Sequence, residues 1–356
     1  MEPPSDEIFD FGLTTETNVM NKKVFSWMLK ILGIALAVFL LVWTVRRTDA
    51  DPLQEIMHAN RGMLILAFLS VGLTHVLGAY RWGTLLAVQG IRLPYWTLLQ
   101  LTWVGTFFSQ LIPGAVSGDL LKLAYVAKSK KGIGTEVFLT IVMDRVVGVA
   151  GLFLVASLGG LLFLTKHWEV AMASRVVGLS LLIVFGGGIA SLIGLIIIVY
   201  HKWFMKWNLV ARTVDWFDHH LPSFITSIVK RLCDGADLYK NAKKTLFSAI
   251  LLSMMIHASL GNGLFCVGRA LGERNISYSA YFLSTQIGNA VTLVPATPGG
   301  LGLRDSVSSA FFEALDVAPS DKTGAIPVVN SMLVVLWALV GAVCLGWLRV
   351  DLRKEE

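Results

Sequence analysis

Charge is what this chain most lacks. Only 15% of its 356 residues are Asp, Glu, Lys or Arg, against about 25% in a typical soluble domain. That shortage excludes a disordered chain, and it argues against two or three soluble domains of ordinary composition. Cysteine is scarce as well. Cys233, Cys266 and Cys344 fit neither a disulfide framework nor a metal-ligand spacing, which excludes a secreted scaffold. A P-loop, a dinucleotide fingerprint, an HExxH pair and a nucleophile elbow are all missing, so no catalytic residue and no cofactor is expected. The net charge of +6 needs no nucleic acid to explain it, because cytoplasmic loops of membrane proteins collect Lys and Arg.

Apolar residues are abundant instead. They make up 55% of the chain, with 11 Trp, 19 Phe and 33 Gly. Aromatic rings suit membrane interfaces, and small residues let helices approach closely. A helix needs about 20 apolar residues to cross the hydrocarbon core. Runs at 24–45, 62–80, 136–164, 176–200, 245–268 and 325–348 meet that length. Two further runs, at 93–118 and 277–303, are interrupted by Pro113, Gly114 and Gly118 and by Pro295, Pro298, Gly299, Gly300 and Gly302. Proline removes a helical hydrogen bond and clashes with the preceding turn. Each of these runs therefore reads as a helix, a break and a second short helix, a form tolerated at membrane depth only around protein or a wet cavity.

The expected fold is an all-α polytopic membrane protein with six spans and two re-entrant broken hairpins, at about 95–125 and 280–316. In that arrangement 19 of the 30 Lys and Arg residues fall on the N-terminal side of the membrane and 8 on the other, which places both termini in the cytoplasm of a cell-membrane protein. Residues 1–21 form a polar tail and 349–356 another, flanking a transmembrane domain at 22–348. Its halves, 24–164 and 176–348, each hold three spans and one hairpin in opposite orientation, an inverted repeat of the kind common in transporters. Pro113, Gly114, Gly118 and Asp119 echo Pro298, Gly299, Arg304 and Asp305 about 185 residues later. Between the halves, 201–244 mixes Trp and Phe with basic residues and reads as an amphipathic connector on the cytoplasmic face.

Charges at membrane depth are the candidate site. Each costs roughly 2.5–3.5 kcal/mol at a helix centre, so it needs a partner or a cavity. Asp144 and Arg145 are adjacent in the span 136–164 and point about 100° apart, so each requires its own partner; structural ion pairs and ligand contacts are both open. Asp119 and Lys122 follow the first break, and Arg304 and Asp305 follow the second. Helix starts after glycine-rich breaks suit an anion such as phosphate, while the aspartates equally suit caps. Asn262, Gln286 and Asn289 read as helix–helix hydrogen bonds, and Arg81-Trp82 as an interfacial anchor. His219, His220, Asp215 and Asp218 match no zinc spacing, so no metal is expected.

The segments FFSQLIPGAVSGDLLKL, MDRVVG and LVPATPGGLGLRDS resemble the transmembrane region of lysylphosphatidylglycerol synthases and the flippase-like integral membrane proteins related to it. The resemblance covers nearly everything after residue 24. That family usually has Glu after the late Arg, where this chain has Asp305. The resemblance implies movement of an anionic, aminoacylated or polyprenyl-linked lipid head group between leaflets. Asp119, Lys122, Asp144, Arg145, Arg304 and Asp305 would bind it, and a separate lipid-modifying enzyme would be a partner. The alternative is an accessory protein or enzyme of lipid-linked glycan or phospholipid synthesis. Only eight residues follow Leu348, so aminoacyl-transferase activity is not expected from this chain. The oligomeric state is left open by the sequence.

Overall fold

A computed structural model describes residues 52–111, 117–129, 132–204, 238–239, 242–294, 297–315 and 320–345. The expected span 24–45, the two tails, Pro113-Gly114, Pro295, the His219-His220 group and most of the 201–244 connector lie outside the described residues. Within them the chain forms ten α-helices and one 3-10 turn, with no strand. In chain order these are α1 (Pro52–His58), α2 (Arg61–Val88), α3 (Tyr95–Leu111), α4 (Ser117–Ser129), α5 (Gly134–Ala173), α6 (Arg175–Phe204), α7 (Lys243–Ala270), α8 (Tyr278–Val291), the turn Pro298–Gly300, α9 (Leu303–Glu313) and α10 (Ser320–Leu345).

Five of these helices are long and apolar enough to cross a bilayer: α2, α5, α6, α7 and α10. They match the five expected spans that fall in the described region. The interrupted runs give pairs of shorter helices, α3–α4 and α8–α9, as the prolines and glycines require. Local chemistry fixes several ends. The Asn60 side chain accepts from the Met63 N–H to start α2, and Ser277 accepts from Ala280 to start α8, both ordinary N-caps. Pro327 lies inside α10 and cannot donate to the Thr323 carbonyl one turn earlier. That carbonyl accepts from the Ser309 hydroxyl of α9 instead, at 3.2 Å.

Helices in lipid gain little from apolar burial against one another, so close approach at small residues carries the packing. α2 and α7 run antiparallel: Asn262 donates to Ser70 at 3.0 Å, and Arg81 to Ser253 further along. α5 and α6 form a second antiparallel pair joined by the single residue Ser174. Glycines let backbones touch where α5 meets α7 (Gly151 on Ser253), where α10 meets α3 (Gly341 on the Trp103 carbonyl) and where α4 meets α3. α10 is the most enclosed of the spans. Its Trp337 ring lies over Gly72, stacked between Phe68 at 4.7 Å and Trp103 at 6.2 Å. Within the 201–244 connector, Leu238 and Tyr239 are described between the end of α6 and the start of α7. There the buried Tyr239 hydroxyl donates to the Leu85 carbonyl near the end of α2, and burial pushes this phenol well above its usual pKa.

The α3–α4 contact is the tightest point of the first broken pair. A Cβ added at Gly118 would overlap the Gly105 carbonyl oxygen, a backbone atom that cannot swing aside. Gly118→Ala should therefore cost about 1–3 kcal/mol through overpacking. Gly186→Ala, with no neighbour within 4 Å, should cost nothing comparable. Thermal unfolding of both variants in detergent is the check, and equal melting temperatures would refute the contact.

Candidate functional site

The intramembrane charges pair between helices. Asp144 on α5 takes a two-pronged contact from Arg81 on α2, with Nε to Oδ1 at 2.8 Å and Nη2 to Oδ2 at 2.9 Å. Planar fork-to-carboxylate geometry of this kind is the strong form of an ion pair. Arg81 also donates through Nη1 to Ser253 on α7 at 2.6 Å, and Gly148 on α5 leaves space beneath the guanidinium. The neighbouring residue points elsewhere, as its 100° offset demands. Arg145 donates to Asp119 in the first turn of α4 at 2.6 Å, and Lys122 lies 3.6 Å from the same carboxylate. The Lys122 ammonium also sits 5.1 Å from the centroid of the Trp82 ring, while the Trp82 indole N–H donates to Thr140. Four helices are thus tied by one patch of charge.

Arg81 corrects an expectation. It is no interfacial anchor: α2 continues two turns beyond it, and its side chain is only 11% exposed. Trp82 is fully buried. The charge at Arg81 is itself a member of the long apolar helix and does not end it.

The second broken pair holds a different arrangement. Asp305 accepts the Gly302 N–H at 3.1 Å, the capping role that its position after the break suggests. Its other oxygen accepts from Ser331 of α10 at 2.6 Å. Ser331 in turn accepts from Arg304 at 2.8 Å, and the Arg304 stem crosses Gly288 of α8. Gly299, Gly300 and Gly302 all have positive φ, conformations that suit glycine. At Gly299 a side chain would occupy the place of the Gln110 amide. The Pro298–Gly300 turn is therefore seated on the end of α3, with Leu111 packed near Leu301 and Val335. Gln110 is 5% exposed. Its Oε1, Thr297 Oγ1 and Asn289 Nδ2 are buried without a hydrogen-bond partner among the described residues. Gln286 donates to the His257 carbonyl and Asn262 to Ser70, as expected of both; Asn289 departs from that reading at its amide nitrogen.

Arg145 reaches a cleft. α5 and α6 separate beyond Phe153 and Gly187 and enclose about 390 Å³, lined almost wholly by apolar groups, with Arg145 as its charged member. Half of the Arg145 side chain is exposed. Arg304 is not among the residues lining this cleft.

This architecture can be set beside known proteins. The model of the lysylphosphatidylglycerol synthase TM region matches residues 30–348. The chain belongs to that family. Its relatives include a UPF0104 membrane protein of Pyrococcus horikoshii, 26% identical over 82% of this chain and 88% of the relative. A second, from Methanothermobacter thermautotrophicus, is 23% identical over 80% of this chain and 82% of its own length. Both broken pairs and all six candidate residues (Asp119, Lys122, Asp144, Arg145, Arg304 and Asp305) lie inside the region matched to the lysylphosphatidylglycerol synthase TM family.

The residues missed at the sequence level are Gln110 and Thr297, uncharged groups with no pattern to mark them, and Arg81. Within this family member the Arg81–Asp144 pair is a testable unit. Removing one partner of a buried pair strands the other, at about 3–5 kcal/mol. Arg81→Ala should lower thermal stability by that order, and Arg81→Met combined with Asp144→Leu should recover most of it. A double variant no more stable than the single one would show that the pair is not what holds α2 to α5.

Proposed function

We propose that the protein moves the polar head group of an anionic, aminoacylated or polyprenyl-linked lipid between the leaflets of the cell membrane. The observation that carries this reading is the junction of the two breaks. There the Pro298–Gly300 turn meets the end of α3 at Gln110, and Gln110, Thr297 just before the turn and Asn289 near the end of α8 each hold a buried polar atom without a partner among the described residues. Such atoms cost free energy when left unpaired away from water, and more so at membrane depth. A passing head group with hydroxyl, amine or phosphate groups would satisfy them in transit. The family's name, which refers to a synthase of an aminoacylated phospholipid, agrees with a lipid substrate.

Several features support an inverted repeat behind this site. α3 folds back on α4 at Gly105 and Gly118, and α8 faces α9 at Gly288 and Arg304. Asp119 and Asp305 each stand in the first turn of the second helix. In this reading Arg145 and Arg304 hold the lipid phosphate on its way, Asp119 and Asp305 orient them, Lys122 collects anionic lipid near the cytoplasmic face, and Asp144 fixes α5 through Arg81. Both termini lie in the cytoplasm.

Gln110 separates transport from folding. Gln110→Leu removes an amide oxygen that is buried without a partner among the described residues, a change that relieves a desolvation cost, so it should melt no lower than the parent. Translocation of fluorescent phosphatidylglycerol in reconstituted vesicles should nonetheless fall by roughly tenfold, the equivalent of losing about one hydrogen bond to the moving group. Arg304→Gln should fall further. If both variants are stable and translocate at the parental rate, the junction is not the path.

Orientation is checked separately. Single cysteines placed in 201–244 should react with impermeant reagent only after the cytoplasmic side is opened. Labelling of that segment from outside intact cells would reverse the assignment.

A further inference from the structure

The cleft between α5 and α6 is not used by the junction of the breaks, and its chemistry differs from that site. Close to their Ser174 joint the two helices are packed. Gly160 lies on Leu181 and Phe185, and Gly188 on Ser157, whose hydroxyl reaches the Val184 carbonyl at 3.3 Å. Toward the other end they part. α6 presents Gly187, Ala190, Ser191 and Gly194 to the opening, at spacings of three and four that fall on one helix face. A Cβ built at Gly194 meets nothing within 4 Å. In water such a gap would be filled by solvent. Beside hydrocarbon it is filled by a chain, because lining atoms without neighbours lose dispersion contacts.

A gap alone would hold any lipid tail in passing. The end near the start of α5 distinguishes this one, because it carries the half-exposed Arg145 guanidinium. That group belongs to a contact cluster in which Arg145 and Lys122 both meet the carboxylate of Asp119. A guanidinium at the end of an apolar slot is complementary to a phosphate esterified to a hydrocarbon chain.

We infer that this cleft is a binding site for one anionic phospholipid, with its phosphate on Arg145 and one acyl chain lying along the Gly187–Gly194 face. The inference rests on the lipid-handling reading and adds the place where lipid is held before it moves. It is tested by binding rather than transport, so the two can fail separately.

The experiment uses the full chain in nanodiscs of phosphatidylcholine doped with phosphatidylglycerol bearing a diazirine in its acyl chain. After irradiation, adducts are mapped by peptide mass spectrometry. They should concentrate on Val149, Gly194 and Leu195, with roughly tenfold less on Leu192 and Ile193, which sit on the same helix and are exposed outside the cleft. The same probe on phosphatidylcholine should show no such preference, the difference expected of one charge-assisted contact. Gly194→Phe projects a ring into the slot from a position where a Cβ meets nothing within 4 Å, so it should keep the parental melting temperature and lose the cleft adducts. Arg145→Gln should make the two head groups equivalent. Because this change leaves Asp119 with only Lys122, Arg145→Lys serves as its control and should retain part of the preference. Adducts spread evenly over α6, a cleft left unlabelled because residues 24–45 or a second copy fill it, or unchanged labelling in Gly194→Phe would each overturn the assignment. If the cleft is labelled as described but Gln110→Leu and Arg304→Gln transport normally, the binding site stands and the proposed path falls.

Discussion

The cost of placing charge in hydrocarbon organises this molecule. Arg81 and Asp144 both belong to membrane helices, and both side chains are largely buried. They are accommodated by a two-pronged contact between α2 and α5, extended to α7 through Ser253. Because hydrocarbon gives helices little reason to choose one neighbour over another, such contacts select the arrangement. The pair fixes the register of α5. That register in turn sends Arg145 toward α4 and the cleft, and Gly151 against the backbone of α7. One ion pair therefore settles what its sequence neighbour can touch.

The two broken pairs solve one problem differently. Each ends one helix and begins another. In the first, the new helix opens with a carboxylate bound to a distant arginine on α5. In the second, the carboxylate turns inward to its own glycine N–H and outward to Ser331, and the arginine beside it shares that serine. The first aspartate is thus spent on joining helices, while the second secures a turn built from three glycines of positive φ. An arginine beside a cap has fewer structural duties than one holding a neighbouring helix.

Much of the fold was legible because membrane insertion imposes length. The five expected spans within the described residues reappear as helices, and the interrupted runs as paired short helices. Ends were less legible. The run at 136–164 stops where Lys166 and His167 appear, yet α5 continues to Ala173, since helical hydrogen bonding does not end with hydrophobicity. The need of Asp144 and Arg145 for separate partners followed from their adjacency. Which partners they find, 63 and 26 residues away, is a property of packing that no local pattern encodes. Gln110 and Thr297 gave no signal, being uncharged residues in runs defined by apolar content. The cleft was invisible for another reason: it is made of side chains that are not there.

The reach of α5 has its own consequence. Forty residues at 1.5 Å each span about 60 Å, roughly twice the hydrocarbon thickness. The backbone leaves helical geometry at His167, whose ring bonds Ser277 at the start of α8. Just past that bend, Trp168 and Met172 are exposed, an amphipathic tip of the sort that rests among head groups. The bend is thereby a gauge of immersion. In a thicker bilayer the tip must tilt or be drawn inward, at a fraction of a kcal/mol per ångström of mismatch. His167 ties that bend to the start of α8, the helix that leads into the second break, so the position of the tip and that of α8 are joined.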